Sequence, residues 1–252
     1  GLMTEAFTNY LKANALNKRD LFTIKGLAEL FITNKQYSEA DSMLLEGLRM
    51  DTFNINLHFL MAQSKYKQKS YDSTVHYLTN IIGRIDFSPY YNKMLGYSYI
   101  QIDSFEKSIP ILFKALNDPG SAENAHYYLA TAYNELDNKP YAKHHYEKAL
   151  EEGISGNVDI YHRVLAKMYN EENQLSKAID HYKDAYKYGK DPLVLFYLAR
   201  AADVYYKDKN IAINYYKKYY KSNHSNKEYV TYAKERARQL KEVQHQSRAQ
   251  SN

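Results

Sequence analysis

The chain has 252 residues, of which 44% are hydrophobic, and it carries a formal net charge of +5. It contains no cysteine, so disulfides, thiol catalysis and cysteine-based zinc sites are excluded. No run approaches the ~20 apolar residues that a membrane helix needs, so no transmembrane segment is predicted.

The first predicted element is an amphipathic helix over residues 3–16 (MTEAFTNYLKANAL). It resembles the second helix of a helical pair whose first half is missing, so we interpret it as a half-repeat or as a cap on a stack. The 28 tyrosines, against only nine glycines and five prolines, favour long helices with aromatic seams over a loop-rich β fold.

A sequence repeat spans residues 21–222, and three columns of residues define it. A large residue followed by a small one recurs at steps of 34, 34, 34, 36 and 33 positions: Leu27-Ala28, Met61-Ala62, Leu95-Gly96, Leu129-Ala130, Leu165-Ala166 and Leu198-Ala199. The second column is small, with Ala40, Thr74, Ser108, Ala142, Ala178 and Ala212. The third column is bulky, with Leu44, Leu78, Leu112, Tyr146, Tyr182 and Tyr216. Such a period predicts about six helix-turn-helix units that stack on one another.

Turn and proline signals fit the same units. Polar turn residues separate the predicted helices at Asn34-Lys35-Gln36, Lys69-Ser70, Asp103-Ser104, Asp137-Asn138 and Asn173-Gln174. Pro89, Pro140 and Pro192 lie at predicted helix starts, where the missing N–H costs nothing. Pro110 is the exception, because it lies one turn inside a predicted helix and should bend it.

The C-terminal end differs from the repeats in charge. Residues 205–252 contain eleven Lys or Arg and four Asp or Glu, a net charge of +7, so the other 204 residues sum to −2. A polar helix is predicted over residues 225–246, where its thin apolar stripe would cover the last seam of a stack. Residues 247–252 are predicted to be a disordered tail.

This pattern resembles the tetratricopeptide repeat (TPR) family, and residues 123–150 fit it best, with Leu129-Ala130, Tyr133, Ala142, Tyr146 and Ala149-Leu150. Lys65 and Ala202 depart from it, because they replace the first-helix aromatic residue in the second and sixth repeats. The resemblance implies an all-α, right-handed solenoid of about six repeats, forming one domain over residues 3–246.

In this family the first helices line a concave groove that binds protein or peptide segments. The resemblance therefore implies a ligand-binding groove lined by Lys25, Phe59, Gln63, Tyr66, Lys93, Tyr97, Tyr127, Asn134, Arg163, Lys167, Phe196 and Arg200. Tyr66, Tyr97 and Tyr127 would supply apolar contact. The cations Arg163, Lys167 and Arg200 would receive acidic groups, so an acidic protein or peptide segment is the expected partner.

Some family members bind a C-terminal carboxylate through a clamp of lysines and asparagines. Lys25 and Lys93 match two cationic positions of that clamp. Glu29 stands where an asparagine is expected, and Gln63 and Tyr97 replace other members. Because Glu29 would repel a carboxylate, we expect that this clamp does not function here.

No motif indicates catalysis, since the chain has no glycine-rich phosphate loop, no GxSxG and no HExxH. His144, His145 and His181 could suggest a metal site. Adjacent helical residues point about 100° apart, so we interpret these histidines as surface or seam residues. The chain is expected to be a non-enzyme without metal or cofactor.

Two alternative functions remain open from the sequence. The half-repeat at 3–16 would suit a module that self-associates or docks end to end. The YYKKYYK segment from Tyr215 to Lys221, together with the basic end, would suit binding of nucleic acid or anionic lipid, and we regard nucleic acid as the less favoured partner. The competing interpretation is that these tyrosines form the seam to the last helix.

The expected cellular compartment depends only on how the N-terminal residues are interpreted. Gly1 followed by half a repeat resembles a trimmed chain, which favours an exported or periplasmic bacterial protein whose leader has been removed. The alternative is a cytoplasmic protein. The oligomeric state does not follow from the sequence.

Overall fold

A computed structural model describes residues 2–153, 156–222 and 226–249. These residues form fourteen α helices, and one isolated bridge between Ile82 and Ile85 is the only β pairing among them. The predicted all-α class is therefore confirmed. The chain divides into two compact units, residues 1–138 and 139–252. The single domain over 3–246 stays a prediction.

The first unit contains eight helices among its described residues: α1 (Leu2–Leu16), α2 (Leu21–Thr33), α3 (Tyr37–Met50), α4 (Ile55–Lys67), α5 (Tyr71–Thr79), α6 (Pro89–Gln101), α7 (Phe105–Ala115) and α8 (Pro119–Glu135). Each helix packs on the next one in the chain. The first helices of neighbouring repeats also touch, α2 with α4 and α6 with α8. This pattern of contacts is that of stacked helical pairs.

The second unit contains six helices among its described residues: α9 (Lys139–Glu151), α10 (Val158–Glu171), α11 (Leu175–Gly189), α12 (Pro192–Tyr205), α13 (Lys209–Lys221) and α14 (Lys227–Ala249). Here too each helix packs on its neighbour in the chain. The predicted tail at 247–252 falls partly within α14, which ends at Ala249, and partly outside the described residues.

The three sequence columns form the interior of the repeats. Every residue of all three columns is buried. The polar members Thr74 and Ser108 lose no hydrogen bonds there, because their hydroxyls donate to the backbone carbonyls of Ser70 (3.0 Å) and Phe105 (2.6 Å). A small polar residue can thus replace alanine where two helices come close.

One backbone geometry closes the turn after the first helix of five repeats. Lys35, Lys69, Asp103, Asp137 and Asn173 all adopt a positive φ of 55–61°. In each case the next residue donates a hydrogen bond back to the first helix, as Gln36 N does to Phe31 O at 2.8 Å. This is the Schellman arrangement, which satisfies the last carbonyls of a helix. The predicted turn positions are confirmed.

The two departures from the repeat pattern have local compensations. Lys65, which replaces an aromatic residue, lies 2.7 Å from Asp41, and Asp41 also accepts hydrogen bonds from Ser64 (2.7 Å) and Gln68 (2.9 Å). Ala202 is buried in α12. An ion-pair network and a close helix contact therefore replace the missing rings.

The last helix is held to α12 by a partly buried ion pair. Asp203 on α12 is 8% exposed, and its Oδ2 accepts a hydrogen bond from Arg236 Nε of α14 at 2.7 Å. Lys209 Nζ lies 3.7 Å from its Oδ1. On the same contact, Phe196 of α12 stacks on Tyr229 of α14. Helix α14 thus packs on α13 and contacts α12 through these side chains, and its role as a cap stays a prediction.

We predict that Gly96→Ala destabilises the first unit. An added Cβ at Gly96 would lie 2.5 Å from Leu112 Cγ, and overpacking of this kind costs about 1–3 kcal/mol, which exceeds the roughly 1 kcal/mol gained in helix propensity. Urea unfolding followed by circular dichroism would measure the loss. Gly120→Ala is the matched control, because its nearest neighbour would lie at 3.5 Å. Equal stability of the two variants would contradict the prediction.

We also predict that Asp203→Ala loosens α14. The change removes a buried acceptor of charged hydrogen bonds and should lower the free energy of unfolding by about 1–3 kcal/mol. Hydrogen exchange should become faster throughout α14. Glu235→Ala serves as the control, since Glu235 is exposed and pairs with Arg238 on its own helix; that variant should exchange at the wild-type rate.

Candidate functional site

The first unit carries a cluster of aromatic side chains, which we call the aromatic ladder: Phe59, Tyr66, Tyr91, Tyr97 and Tyr128 on first helices, and Tyr71 on the second helix α5. Phe59 stacks on Tyr91 with the ring centroids 3.9 Å apart. Tyr66 and Tyr71 meet Tyr97 edge to face at 5.8 and 5.6 Å. Of the predicted groove residues, Tyr66 and Tyr97 therefore touch directly, while Phe59 and Tyr66 pack against the same buried cluster.

Tyr127 joins this surface at its end. Its ring lies 5.7 Å from that of Tyr128, which in turn lies 4.7 Å from Tyr97. The prediction missed Tyr71, Tyr91 and Tyr128. Tyr71 belongs to a second helix, Tyr128 directly follows the selected residue Tyr127, and Tyr91 lies two positions before the selected residue Lys93.

Burial raises the pKa of three phenols of the ladder. Burial, followed by the nearby tyrosines, raises the pKa of Tyr97 and of Tyr128 to about 12 and raises the pKa of Tyr66 further. The ladder therefore offers hydroxyl groups that donate hydrogen bonds throughout the physiological pH range. It combines apolar ring faces with polar edges.

Polar residues border the ladder. Gln63 Nε2 lies 3.4 Å from the hydroxyl of Tyr90, and Lys93 and Asn134 are half-buried on α6 and α8. Lys25 lies 3.7 Å from Glu29. Glu29 thus partly neutralises a lysine that the carboxylate clamp would require, and the expectation that the clamp does not function stays a prediction.

The second unit contains a pocket of about 600 Å³ between its first helices. We call it the cationic pocket; its lining is Arg163, Val164, Lys167, Asn170 and Glu171 of α10, Tyr182 of α11, and Leu193, Tyr197, Arg200 and Val204 of α12. The three predicted cations Arg163, Lys167 and Arg200 therefore converge on one site. Apolar side chains and two tyrosine rings fill the space between them.

The three cations differ in how strongly they are neutralised. Arg163 Nη1 lies 3.2 Å from Asp191, whereas Lys167 Nζ lies 3.8 Å from Glu171 with a side chain that is 74% exposed. Arg200 makes no ion pair with a described carboxylate, and its guanidinium lies 5.9 Å from the Phe196 ring. Arg200 and Lys167 are thus the cations most available to an anionic group.

Phe196 differs from the sequence prediction, which placed it in the groove. It is buried, and its ring stacks on Tyr229 at 4.6 Å and contacts Tyr219 at 5.2 Å. The reason is that α14 covers this face of α12. The pocket residues on α12 are Leu193, Tyr197, Arg200 and Val204, so Tyr197 takes the place that was predicted for Phe196. Their spacing of four, three and four positions defines one helix face.

The histidines occupy a different arrangement from the predicted trio. His181 faces His162 of α10, with the two Nδ1 atoms 2.9 Å apart. His144 instead contacts its neighbour His145. Among the described residues, no group of three or more His, Cys, Asp or Glu side chains could hold a metal ion.

The tyrosines of the basic C-terminal segment pack mainly between helices. Tyr216 and Tyr219 are buried on α13, and Tyr216 contacts Tyr232 of α14 at 6.3 Å between ring centroids. The seam interpretation thus describes these two rings. None of the described helices is long and apolar enough to cross a bilayer.

We predict that Tyr66, Tyr97 and Tyr128 of the ladder ionise at a higher pH than an ordinary phenol. Their folded pKa values are raised above the unfolded value of about 10, so the neutral phenols contribute stability below pH 10 that is lost as the pH rises towards 12. Ultraviolet absorbance of tyrosinate should show a late-titrating group that Tyr97→Phe reduces. The same titration in denaturant is the control, and a single transition near pH 10 for the folded protein would contradict the assignment.

Comparison with known proteins gives structural similarity at low sequence identity. No protein-family model matches the chain, and no curated protein matches it. The solved structure described as YrrB, "a TPR protein with an unusual peptide-binding site", superposes with a TM-score of 0.64 at 14% identity, covering 73% of this chain and 94% of that one. MamA from Desulfovibrio magneticus RS-1 superposes with a TM-score of 0.60 at 15% identity, covering 68% and 95%. With the repeat columns buried as described, these similarities show that the chain has the tetratricopeptide-repeat fold.

Proposed function

We propose that the protein is a non-catalytic scaffold that binds a protein or peptide segment along its first helices. The observation that carries this proposal is the convergence of Arg163, Lys167 and Arg200 on one pocket. The YrrB structure, which shares the fold, is described as having a peptide-binding site.

The composition of the cationic pocket indicates which side chains it would bind. An acidic side chain would meet Arg200 and Lys167, whose charges are the least neutralised. Val164, Leu193 and Val204 offer apolar contact next to these cations, and Val204 is 72% exposed. We therefore expect the pocket to bind a segment in which an acidic residue lies close to a large apolar one.

The aromatic ladder supports the same function in the first unit. Tyrosine provides large contact area with little loss of conformational entropy, and a peptide backbone in contact with the ladder would find phenol donors. Tyr66, Tyr97 and Tyr127 remain the proposed contacts there. Gln63 and Lys93 would bind polar groups at the edge of the ladder.

The experiment is a selection of binders from a displayed random peptide library, followed by affinity measurements on the selected peptides. We expect them to be enriched in Asp or Glu next to Leu, Ile or Phe. The double variant Lys167→Glu/Arg200→Glu should weaken their binding by at least about tenfold, since loss of a charge-assisted contact costs about 1.5–3 kcal/mol.

The matched control is Lys218→Glu/Lys234→Glu, which makes the same change in net charge at exposed lysines of α13 and α14. This control should keep the wild-type affinity, apart from a small, salt-sensitive decrease from long-range attraction. Selected peptides without acidic residues, or equal losses in both double variants, would show that the cationic pocket is not the binding site.

A further inference from the structure

A buried histidine, His162, and a half-buried one, His181, each precede a residue of the cationic pocket but do not line it. His162 is on α10 and His181 on α11, and their Nδ1 atoms are 2.9 Å apart. Each is followed directly by a pocket residue, Arg163 and Tyr182. The α10–α11 hairpin therefore has the histidine pair on one side and the pocket on another.

Aromatic rings hold both imidazoles in place. The ring of His162 lies parallel to Tyr188 within 8°, and that of His181 lies parallel to Tyr169 within 20°. Tyr169 is itself fixed, because its hydroxyl donates a 2.6 Å hydrogen bond to Glu147 of α9. The imidazoles therefore have little freedom to rotate away from each other.

The number of protons decides whether this contact can exist. In the neutral pair, the Nδ1–H of one ring donates to the bare Nδ1 of the other. A first proton can be added at the donor's Nε2, which leaves the hydrogen bond intact and strengthens it. A second proton must be added at the acceptor Nδ1, and two N–H groups of two cations then point at each other.

Charged side chains near the two imidazoles act on the second protonation in both directions. Asp184 acts on both rings, Asp180 and Glu147 act on His181, and Lys187 acts on His162. The three carboxylates favour a charged imidazole, whereas Lys187 disfavours it. Burial is the largest influence on each ring and lowers the pKa of both.

We propose that the His162–His181 contact is a proton-sensitive latch, which holds α10 against α11 and opens when both imidazoles are protonated. Opening displaces Arg163 and Tyr182, which follow the two histidines, so acid rearranges the cationic pocket. This property goes beyond the proposed function, because the latch acts whether or not a ligand is bound.

The direction of the effect follows from linkage. Because the folded state lowers both pKa values, the unfolded or opened hairpin binds more protons at acidic pH. The stability that the contact contributes is complete above the unfolded histidine value of about 6.5 and decreases as the pH falls below it. Acid should therefore open the hairpin.

The test is amide hydrogen exchange on the unliganded full chain at about pH 7.5 and about pH 5, the interval in which histidine changes charge, after correction for the intrinsic exchange rates. We expect exchange in α10 and α11 to accelerate several-fold at the lower pH, because the opened hairpin binds more protons than the closed one. His181→Asn keeps one hydrogen-bonding group but cannot gain charge, so it should lose most of this acceleration. His245→Asn, at an exposed position of α14, should respond like the wild type.

A second measurement does not depend on any variant. Imidazole nitrogen NMR of the wild-type protein at about pH 7.5 should show one protonated and one bare Nδ1 within this pair. Two bare Nδ1 atoms would overturn the proposal. So would an acid response of His181→Asn equal to that of the wild type, or exchange in α10 and α11 that does not accelerate in acid.

Discussion

The structure depends on how closely two helices can approach in each repeat. The buried small residues Ala28 and Ala40, and their equivalents in later repeats, leave room for a neighbouring helix. At Gly96 even one methyl group would meet Leu112. Because each pair alone leaves an apolar face uncovered, the pairs are stable only in contact with their neighbours. The size of the side chains where two helices touch therefore determines how neighbouring repeats stack.

The same packing decides where function can lie. The small and bulky columns use the faces on which helices touch, so other faces of the first helices remain free for a ligand. In the first unit this free surface is occupied by tyrosine rings, and in the second unit by cations around a pocket. No distant segments need to meet to build such a surface, which suits binding better than catalysis.

Periodic features could be predicted from the sequence, and non-periodic ones could not. The columns and the turns, such as those at Lys35 and Asp137, recur at a nearly fixed spacing. Each repeat carries part of the same pattern, so the repeats support one another's assignment. The cations were found because they belong to successive first helices. Phe196 was misplaced because its burial depends on α14, which has no counterpart elsewhere in the chain. If the contact of α14 with the Phe196 face of α12 had been foreseen, Tyr197 would have been selected as the pocket residue instead.

The contact between His162 and His181 did have a sequence signal, which the column analysis did not use. The two residues lie 19 positions apart, and the preceding repeat carries His126 and His145 at the equivalent positions. The spacing indicates that the two positions face each other across a hairpin, but only the folded chain shows the distance between the two imidazoles.

The buried phenols of the aromatic ladder have a consequence for selectivity. A surface of neutral hydroxyls and ring faces attracts neither sign of charge strongly, so a ligand would gain affinity there from shape and backbone hydrogen bonds, with little dependence on salt. The cationic pocket would instead select by charge and respond to ionic strength. The chain thus offers two kinds of discrimination, and a change in salt or acidity would alter one of them while leaving the other nearly constant.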